Sequence, residues 1–363
     1  MPGSSIGQRL VLTSFGESHG ICVGAVLDGC PAGLELDEKD IQKMLDLRKP
    51  GQSLVSTQRK EEDKVEILSG VFRGYTTGAP IAMIIWNADH DSRAYEQLKT
   101  KMRPGHSDYP ALIKYKKFND FRGGGRFSGR LTATHVMGGA IARKLLKTTL
   151  GIETNSYTLQ IGKIRMSKVT QQMMKMIYSN EVRCPDKNTA KKMRNIILAA
   201  RKKGDSLGGV IESVTTNLPV GLGEPIFGSL ESDLGKALYS IPAVKGIEFG
   251  SGFAGAEAFG SQNNDPYMVK NGKVVTKTNN AGGILGGLSN GMPIVLRIAF
   301  KPASSILKKQ TTIDIKTKKP TSLQVTGRHD PCVVPRAPPV VDSLVSLVLA
   351  DHALQSGFIK PVL

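Results

Sequence analysis

The chain has little to cross-link it and nothing built to cross a bilayer. Its 363 residues include four cysteines and one tryptophan. Cys22, Cys30, Cys184 and Cys332 are scattered without CxxC spacing, which speaks against a zinc site or a disulfide framework and leaves buried free thiols as the expected state. Long apolar runs are missing too. The least charged stretch, Ala281 to Leu296, is broken by Gly282, Gly283, Gly286, Gly287, Gly291 and Pro293, too short and too flexible to span a membrane. Residues 1–20 carry no apolar segment behind a basic one, so no secretory signal is read and a soluble, cytoplasmic protein is expected. A nicotinamide fingerprint of the GxGxxG type after a strand is also absent. Acidic residues are in deficit: 31 Asp and Glu stand against 49 Lys and Arg, a net charge of +18.

That charge suits a nucleic acid, a polyanionic small substrate or merely a basic surface, and its distribution helps to choose. Lys187, Lys191, Lys192, Arg194, Arg201, Lys202 and Lys203 decorate a helical pattern whose other face is Met193, Ile196, Ile197 and Ala200, the signature of a solvated helix face. From Lys308 to Lys319, Ile313 and Ile315 alternate with polar neighbours, as in an exposed hairpin arm. Neither run interleaves aromatics with arginines, so a basic nucleic-acid-binding protein is the second reading and a small anionic ligand the first. Asp89-His90-Asp91 reads as a polar turn after the strand Ile81 to Trp86 rather than a metal cluster.

What the chain does have is glycine, 40 residues of it, set beside arginine and histidine. Arg122-Gly-Gly-Gly-Arg126-Phe-Ser-Gly-Arg130 runs into a helical pattern from Leu131 to Lys147. Glycines let a backbone approach a ligand closely, and a helix N-terminus and guanidinium forks favour anions. Phe15-Gly-Glu-Ser-His-Gly20 lies between the strand patterns Arg9 to Thr13 and Cys22 to Leu27, displaying Ser18 and His19 at a strand end. A helix from Asp37, its cap, to Arg48 has Ile41, Met44 and Leu45 as its stripe and is stopped by Pro50-Gly51. Arg103-Pro-Gly-His106 repeats the arginine–histidine turn. Pro242-Ala243 marks another break, the strand Ile294 to Phe300 leads into Lys301-Pro-Ala-Ser-Ser305, and Gly327-Arg-His-Asp-Pro-Cys332 precedes an apolar helix from Val340 to Leu354.

In this order, Phe15 to Gly20, Arg103 to His106, Arg122 to Arg126, Lys301 to Ser305 and Gly327 to Cys332 resemble the signature segments of the chorismate synthase family. Lys64 to Gly70, Gly221 to Pro225 and Ala243 to Gly246 resemble the same family, so the likeness covers nearly the whole chain and implies a single domain over residues 1–363.

The resemblance implies an α+β fold, a sandwich with helices between antiparallel β-sheets, assembled as a homotetramer. It implies loss of phosphate and a ring proton from 5-enolpyruvylshikimate 3-phosphate, with reduced FMN as cofactor and no metal, nucleic acid or membrane. Carried over by motif, Arg48, Arg103, Arg130 and Arg328 would contact substrate. Arg126, Phe127, Ser128, Pro242, Ala243, Gly286, Lys301, Pro302, Ala303, Ser304, Ser305 and Arg328 would line the flavin. His19 would protonate or stabilise the departing phosphate, His106 would assist the protonation state of the flavin, and Asp330, with Ser18, would take the ring proton. The chain departs from the family pattern at Leu54 and His135, where arginines are common, at Phe127, where a hydroxyl is common, and at Leu131, where a carboxylate is common. These changes are expected to alter binding strength and leave the reaction unchanged.

Overall fold

The computed structural model describes the chain except for residues 1, 2, 52, 54, 57–61, 89–92, 168, 171 and 328, and the side chains of 93 and 94. Two antiparallel sheets enclose a helical layer. The first is built from β1 (Ser5–Ile6), β2 (Val11–Gly16), β3 (Cys22–Asp28), β4 (Glu66–Ile67) and β5 (Ile81–Trp86), in the order β1-β2-β3-β5-β4. The second contains β6 (Glu153–Ile161), β7 (Ile164–Arg165), β8 (Gly209–Thr216), β9 (Val244–Phe249) and β10 (Ile294–Phe300), in the order β9-β10-β8-β6-β7. The expected α+β sandwich is the fold observed.

Two long helices fill the space between the sheets, α3 (Thr132–Leu150) and α6 (Pro338–Gln355), with α1 (Glu38–Arg48), α4 (Lys187–Lys202) and α5 (Leu230–Leu238) around them. Apolar residues surround the whole of α6, which reads as a helix buried on every face, and its residues from Pro338 to Ala353 are buried. Two adjacent glycines let α3 touch both neighbours. A Cβ on Gly138 would lie 2.4 Å from Leu12 of β2, and one on Gly139 would lie 2.2 Å from Ser343 of α6. At the far end of α6 the Asp351 carboxylate accepts from the backbone of Gln8, Arg9 and Leu10, at 2.7 Å from Arg9, pinning the start of β2.

Local signals are met where they were strong. Asp37 caps α1 through a capping box with Asp40, and Ile41 and Leu45 are buried there while Met44 is half-buried. Asp186 caps α4, whose buried residues are Ala190, Met193 and Ile197. β2 begins and ends later than the pattern Arg9 to Thr13 suggests. The basic hairpin is two strands, Gln310–Asp314 and Lys319–Leu323, and it is docked at its turn: Asp314 bridges to Lys101, and Ile315 N–H donates to Thr100. Cys30, Cys184 and Cys332 are buried free thiols and Cys22 is half-buried. Among the described residues no helix is long and apolar enough to cross a membrane.

Candidate active site

The glycine run has a shape that only glycine adopts without cost. Gly123, Gly124 and Gly125 all have positive φ, at 57°, 84° and 51°, where a Cβ would be strained. The run therefore does not open the helix directly. Ser128 closes it by accepting from Arg130 N–H at 3.3 Å, a short turn Gly129–Leu131 follows, and α3 starts at Thr132.

Space as well as conformation calls for glycine here. A Cβ on Gly123 would sit 2.2 Å from His19 Nδ1 and 2.8 Å from Ser18 Oγ. On Gly124 it would approach the Cε1–Nε2 edge of His106 at 3.6 Å. The run thus lies between the two histidines of the motifs. Ser18 is completely buried, donates its N–H to Gly125 O at 3.3 Å and accepts from Ser128 Oγ at 3.2 Å. His19 stacks at a tilt on Tyr95, ring centroids 5.1 Å apart.

The turn Arg103–His106 closes the other side. Lys301 Nζ donates to Gly105 O, Ser304 Cβ would lie 3.6 Å from a Cβ on Gly105, and Arg103 Nη1 donates to Ser305 Oγ at 3.0 Å. Ala243, at φ 74°, accepts from Lys301 N–H at 2.9 Å, and Ser206 Oγ holds Ala303 O at 2.7 Å. These contacts draw Pro242 to Ala243 and Lys301 to Ser305 toward His106. Gly286 is exposed at the turn before the strand Leu288–Asn290, and a Cβ there would meet nothing within 4 Å. Phe127 is 39% exposed and leans on Tyr115, and Leu131 is buried.

Each expected arginine in the described residues is held by acceptors inside the protein. Arg48 gives Nε to Thr132 Oγ1 at 3.1 Å, Nη1 to Asp63 at 2.7 Å and Nη2 to Gly129 O at 2.9 Å. Arg130 binds the other oxygen of Asp63 and gives Nε to Asn87 Oδ1 at 3.1 Å. Asn87 in turn donates to Glu17 O and Gly20 O at 3.0 and 2.9 Å, so the turn bearing Ser18 and His19 is tied to Arg130. Arg126 braces β2, with Nη1 3.1 Å from Gly16 O and Nη2 3.2 Å from Ser14 O.

Two acids, the buried Asp63 and the partly buried Asp108, organise these cations. Neither stood out in the sequence, since Asp63 closes the charged run Glu61-Glu62-Asp63 and Asp108 reads as a helix start. Burial would push the Asp63 carboxyl up, but Arg48 and Arg130 outweigh it and hold it below the usual range. One carboxylate is shared by two guanidinium groups. Asp108 opens α2 (Asp108–Lys114). It too is lowered, burial being overcome by hydrogen bonds from Arg103 and His106.

Asp330 is the remaining carboxylate expected to act. Arg336, an arginine that no motif marks, pairs with it at 2.5 Å and also donates its Nε to Arg48 O at 3.2 Å. Beside it His329 has a buried Nε2 with no hydrogen-bond partner among the described residues. Burial, Arg103 and His106 hold this imidazole below its usual pKa, so it is neutral and its Nε2 is a waiting acceptor. His135 is pushed down to about 4 by burial, Arg126 and Arg48, a neutral ring where a cation is common in the family. Arg328, Leu54 and Asp89-His90-Asp91 lie outside the described residues. Among the described residues no group of acids, histidines and cysteines could hold a metal ion.

A cavity of about 170 Å³ adjoins this cluster, lined among others by Ser305, Gly327, His329 and Asp330. A second of about 290 Å³ lies behind Arg336 and includes Lys49 and Arg183; Ser56 borders both. The residues fit a flavin: an unsatisfied ring nitrogen at His329, hydroxyls at Ser128, Ser304 and Ser305, a lysine, and a glycine cradle that a Cβ would fill.

Known proteins give the same answer. A family model described as chorismate synthase matches residues 10–354. A chorismate synthase of Korarchaeum cryptofilum is 53% identical over 98% of this chain and 99% of the relative. One of Dehalococcoides mccartyi is 50% identical over 99% of each, and one of Methanocaldococcus jannaschii is 51% identical over 99% of this chain and 98% of the relative. A crystal structure of chorismate synthase superposes with a TM-score of 0.76 at 31% identity, covering 96% of this chain and 93% of that one. With the glycine run seated between His19 and His106 and a matching fold over nearly its full length, the chain belongs to the chorismate synthase family.

Proposed function

We propose that this protein is a chorismate synthase, a lyase of the shikimate pathway that removes phosphate and a ring proton from 5-enolpyruvylshikimate 3-phosphate by anti-1,4-elimination. The carrying observation is the meeting of three distant motifs at Gly123 and Gly124, with a histidine on each side, and the tie of a fourth, Lys301 to Ser305, to Gly105 and Arg103 beside them. When bound, reduced FMN supplies electron density as the allylic C–O bond breaks and recovers it as the hydrogen leaves, so it is required without net redox change.

The chain's own residues bind and move protons. His19, facing Gly123, donates to the departing phosphate; an adjacent dianion favours the protonated imidazole. Ser18 and Asp330 receive the ring proton, with Arg336 orienting the carboxylate. Arg103 and Arg130 bind the substrate anions, Arg328 is given the same role by its motif, and Arg48 acts through the Asp63 cluster. His106, Ser128, Pro242, Ala243 and Lys301 to Ser305 hold the flavin, and burial of the cluster keeps water from the breaking bond.

We further assign a homotetramer in the cytoplasm, supplied with flavin reduced elsewhere. A hairpin, Tyr267–Lys270 with Lys273–Thr276, exposes Tyr267, Met268, Val269 and Val274, a surface suited to burial against another copy.

The test is an anaerobic assay with 5-enolpyruvylshikimate 3-phosphate and chemically reduced FMN, following chorismate absorbance and phosphate together. Equal yields of both, absent with oxidised flavin, are expected. Competent flavin binding without either product would refute the activity.

A further inference from the structure

One amide side chain holds both ends of the turn that carries His19. Asn87, just past the end of β5, is 6% exposed, and its backbone N–H continues the β3–β5 ladder by donating to Ile21 O at 3.0 Å. Its Nδ2 donates to Glu17 O at 3.0 Å and to Gly20 O at 2.9 Å. These are the first and last residues of a tight turn, closed by Gly20 N–H on Glu17 O at 3.1 Å, with Ser18 and His19 between them. Asn87 Oδ1 accepts from Arg130 Nε at 3.1 Å. The partners dictate which way the amide points: peptide carbonyls only accept and a guanidinium only donates, so the NH₂ faces the turn and the oxygen faces Arg130. Both amide hydrogens and the oxygen are then in use.

We propose that Asn87 is a positioning residue that fixes the His19 turn relative to the Arg130 guanidinium, so that the two groups meeting the substrate anions are in register before substrate arrives. Arg130 is itself anchored by Asp63, so the amide ties the turn to a cation already held in place. The position calls for an amide. A carboxylate of the same shape would keep the bond from Arg130 but set an oxygen against two carbonyl oxygens, and would add a second anion to a guanidinium already bonded to one. An aliphatic side chain would supply neither the donors nor the acceptor. Ser18 has holds of its own, its N–H on Gly125 O and its Oγ with Ser128 Oγ, so the turn keeps its place in the fold without Asn87 and loses its alignment with Arg130. The inference rests on the reading of His19 and Arg130 as partners of the substrate anions, and its added content is that the rate of the chemical step depends on the buried amide joining them.

Two readouts on Asn87→Leu, close in shape and unable to hydrogen-bond, test this. In nitrogen-15 spectra of histidine-labelled, ligand-free full-length protein, with His19→Gln used to assign the signal, the His19 resonance is expected to shift or broaden while those of His106 and His352 stay in place. With reduced FMN and 5-enolpyruvylshikimate 3-phosphate, kcat should fall by ~10², the usual scale for a reacting group displaced by about 1 Å. KM should change far less, because Asp63 still anchors Arg130. Asn87→Asp, which keeps the acceptor and removes the donors, should move the same signal and lower kcat by a similar factor, with KM raised as well because its charge competes for Arg130; it serves if the leucine variant does not fold. An unmoved His19 signal in a folded variant overturns the proposal. So does a variant that loses urea stability but keeps the natural kcat, which would make Asn87 a packing residue only. Absence of turnover in the natural protein would instead refute the proposed function, and the spectra would still decide whether Asn87 places His19.

Discussion

Asp63 and Asp342 are both buried acids, with 2% and 1% of their surface exposed, yet they sit in opposite electrostatic states. Asp63 lies between Arg48 and Arg130 at the edge of the pocket and is held below the usual carboxylate range. Asp342 lies in α6, where burial pushes it up to about 6 against one cation, Arg143 at 2.9 Å. Depth alone does not decide ionisation; the number of cations bonded to the carboxylate does. The acid at the site is compensated twice because it must stay charged to hold its arginines apart, whereas Asp342 answers to packing.

The sharpest way to break this contrast is to neutralise each acid. Asp63→Asn removes the carboxylate that Arg48 and Arg130 share and is expected to cost ~3–5 kcal/mol by urea unfolding, the usual penalty for half of a buried pair. Substrate affinity should fall with it. A loss no larger than that of Asp342→Asn would show that the two acids are equivalent. The effect of Asp342→Asn should have the opposite sign at neutral pH. An acid whose folded pKa is raised contributes stability below its unfolded value, and that contribution is lost as pH rises through about 6. The Asn variant does not titrate, so it should gain on the natural protein between pH 4 and 7, by ~3 kcal/mol at most. Melting curves across that range would show a constant difference if Asp342 were ordinary.

A smaller effect is expected from Arg143→Met. Asp342 then loses its cation and takes up a proton instead of remaining a stranded charge, so the cost at pH 6 should be only ~1 kcal/mol. The pH at which Asp342 costs stability should move upward. Arg48→Met by contrast should leave the stability profile near neutral pH flat, because Asp63 keeps Arg130; a comparable shift in both variants would erase the difference between the two sites. Smallest of all, Phe127→Ser should change FMN affinity less than about threefold, since that ring is partly exposed and leans on Tyr115, and isolated surface changes have little energetic weight. Flavin fluorescence titration would detect more.

The sequence disclosed the groups that show themselves locally. Asp37 before an apolar stripe gave α1, the alternation in Ile294–Phe300 gave β10, and glycine beside arginine and histidine marked the pocket walls. Asp63, Asn87, Asp108 and Arg336 escaped notice because their meaning lies in partners many residues away; Asp63 reads as the end of a solvated acidic run. β6 and β8 escaped for a different reason. Their buried face carries Thr154, Ser156, Thr158, Ser213 and Thr215, which inverts the apolar-inside alternation that identifies a strand.

The bond from Lys301, just past the end of β10, to Gly105 spans 196 positions of sequence. Such a tie forms late in folding, because its loop must close before it repays anything. A nascent chain that has not yet emitted residue 301 has no closed pocket, however complete its first sheet. Flavin would therefore recognise only the finished fold, and its stabilising effect should fall on the rate of unfolding, leaving the rate at which the chain first collapses untouched.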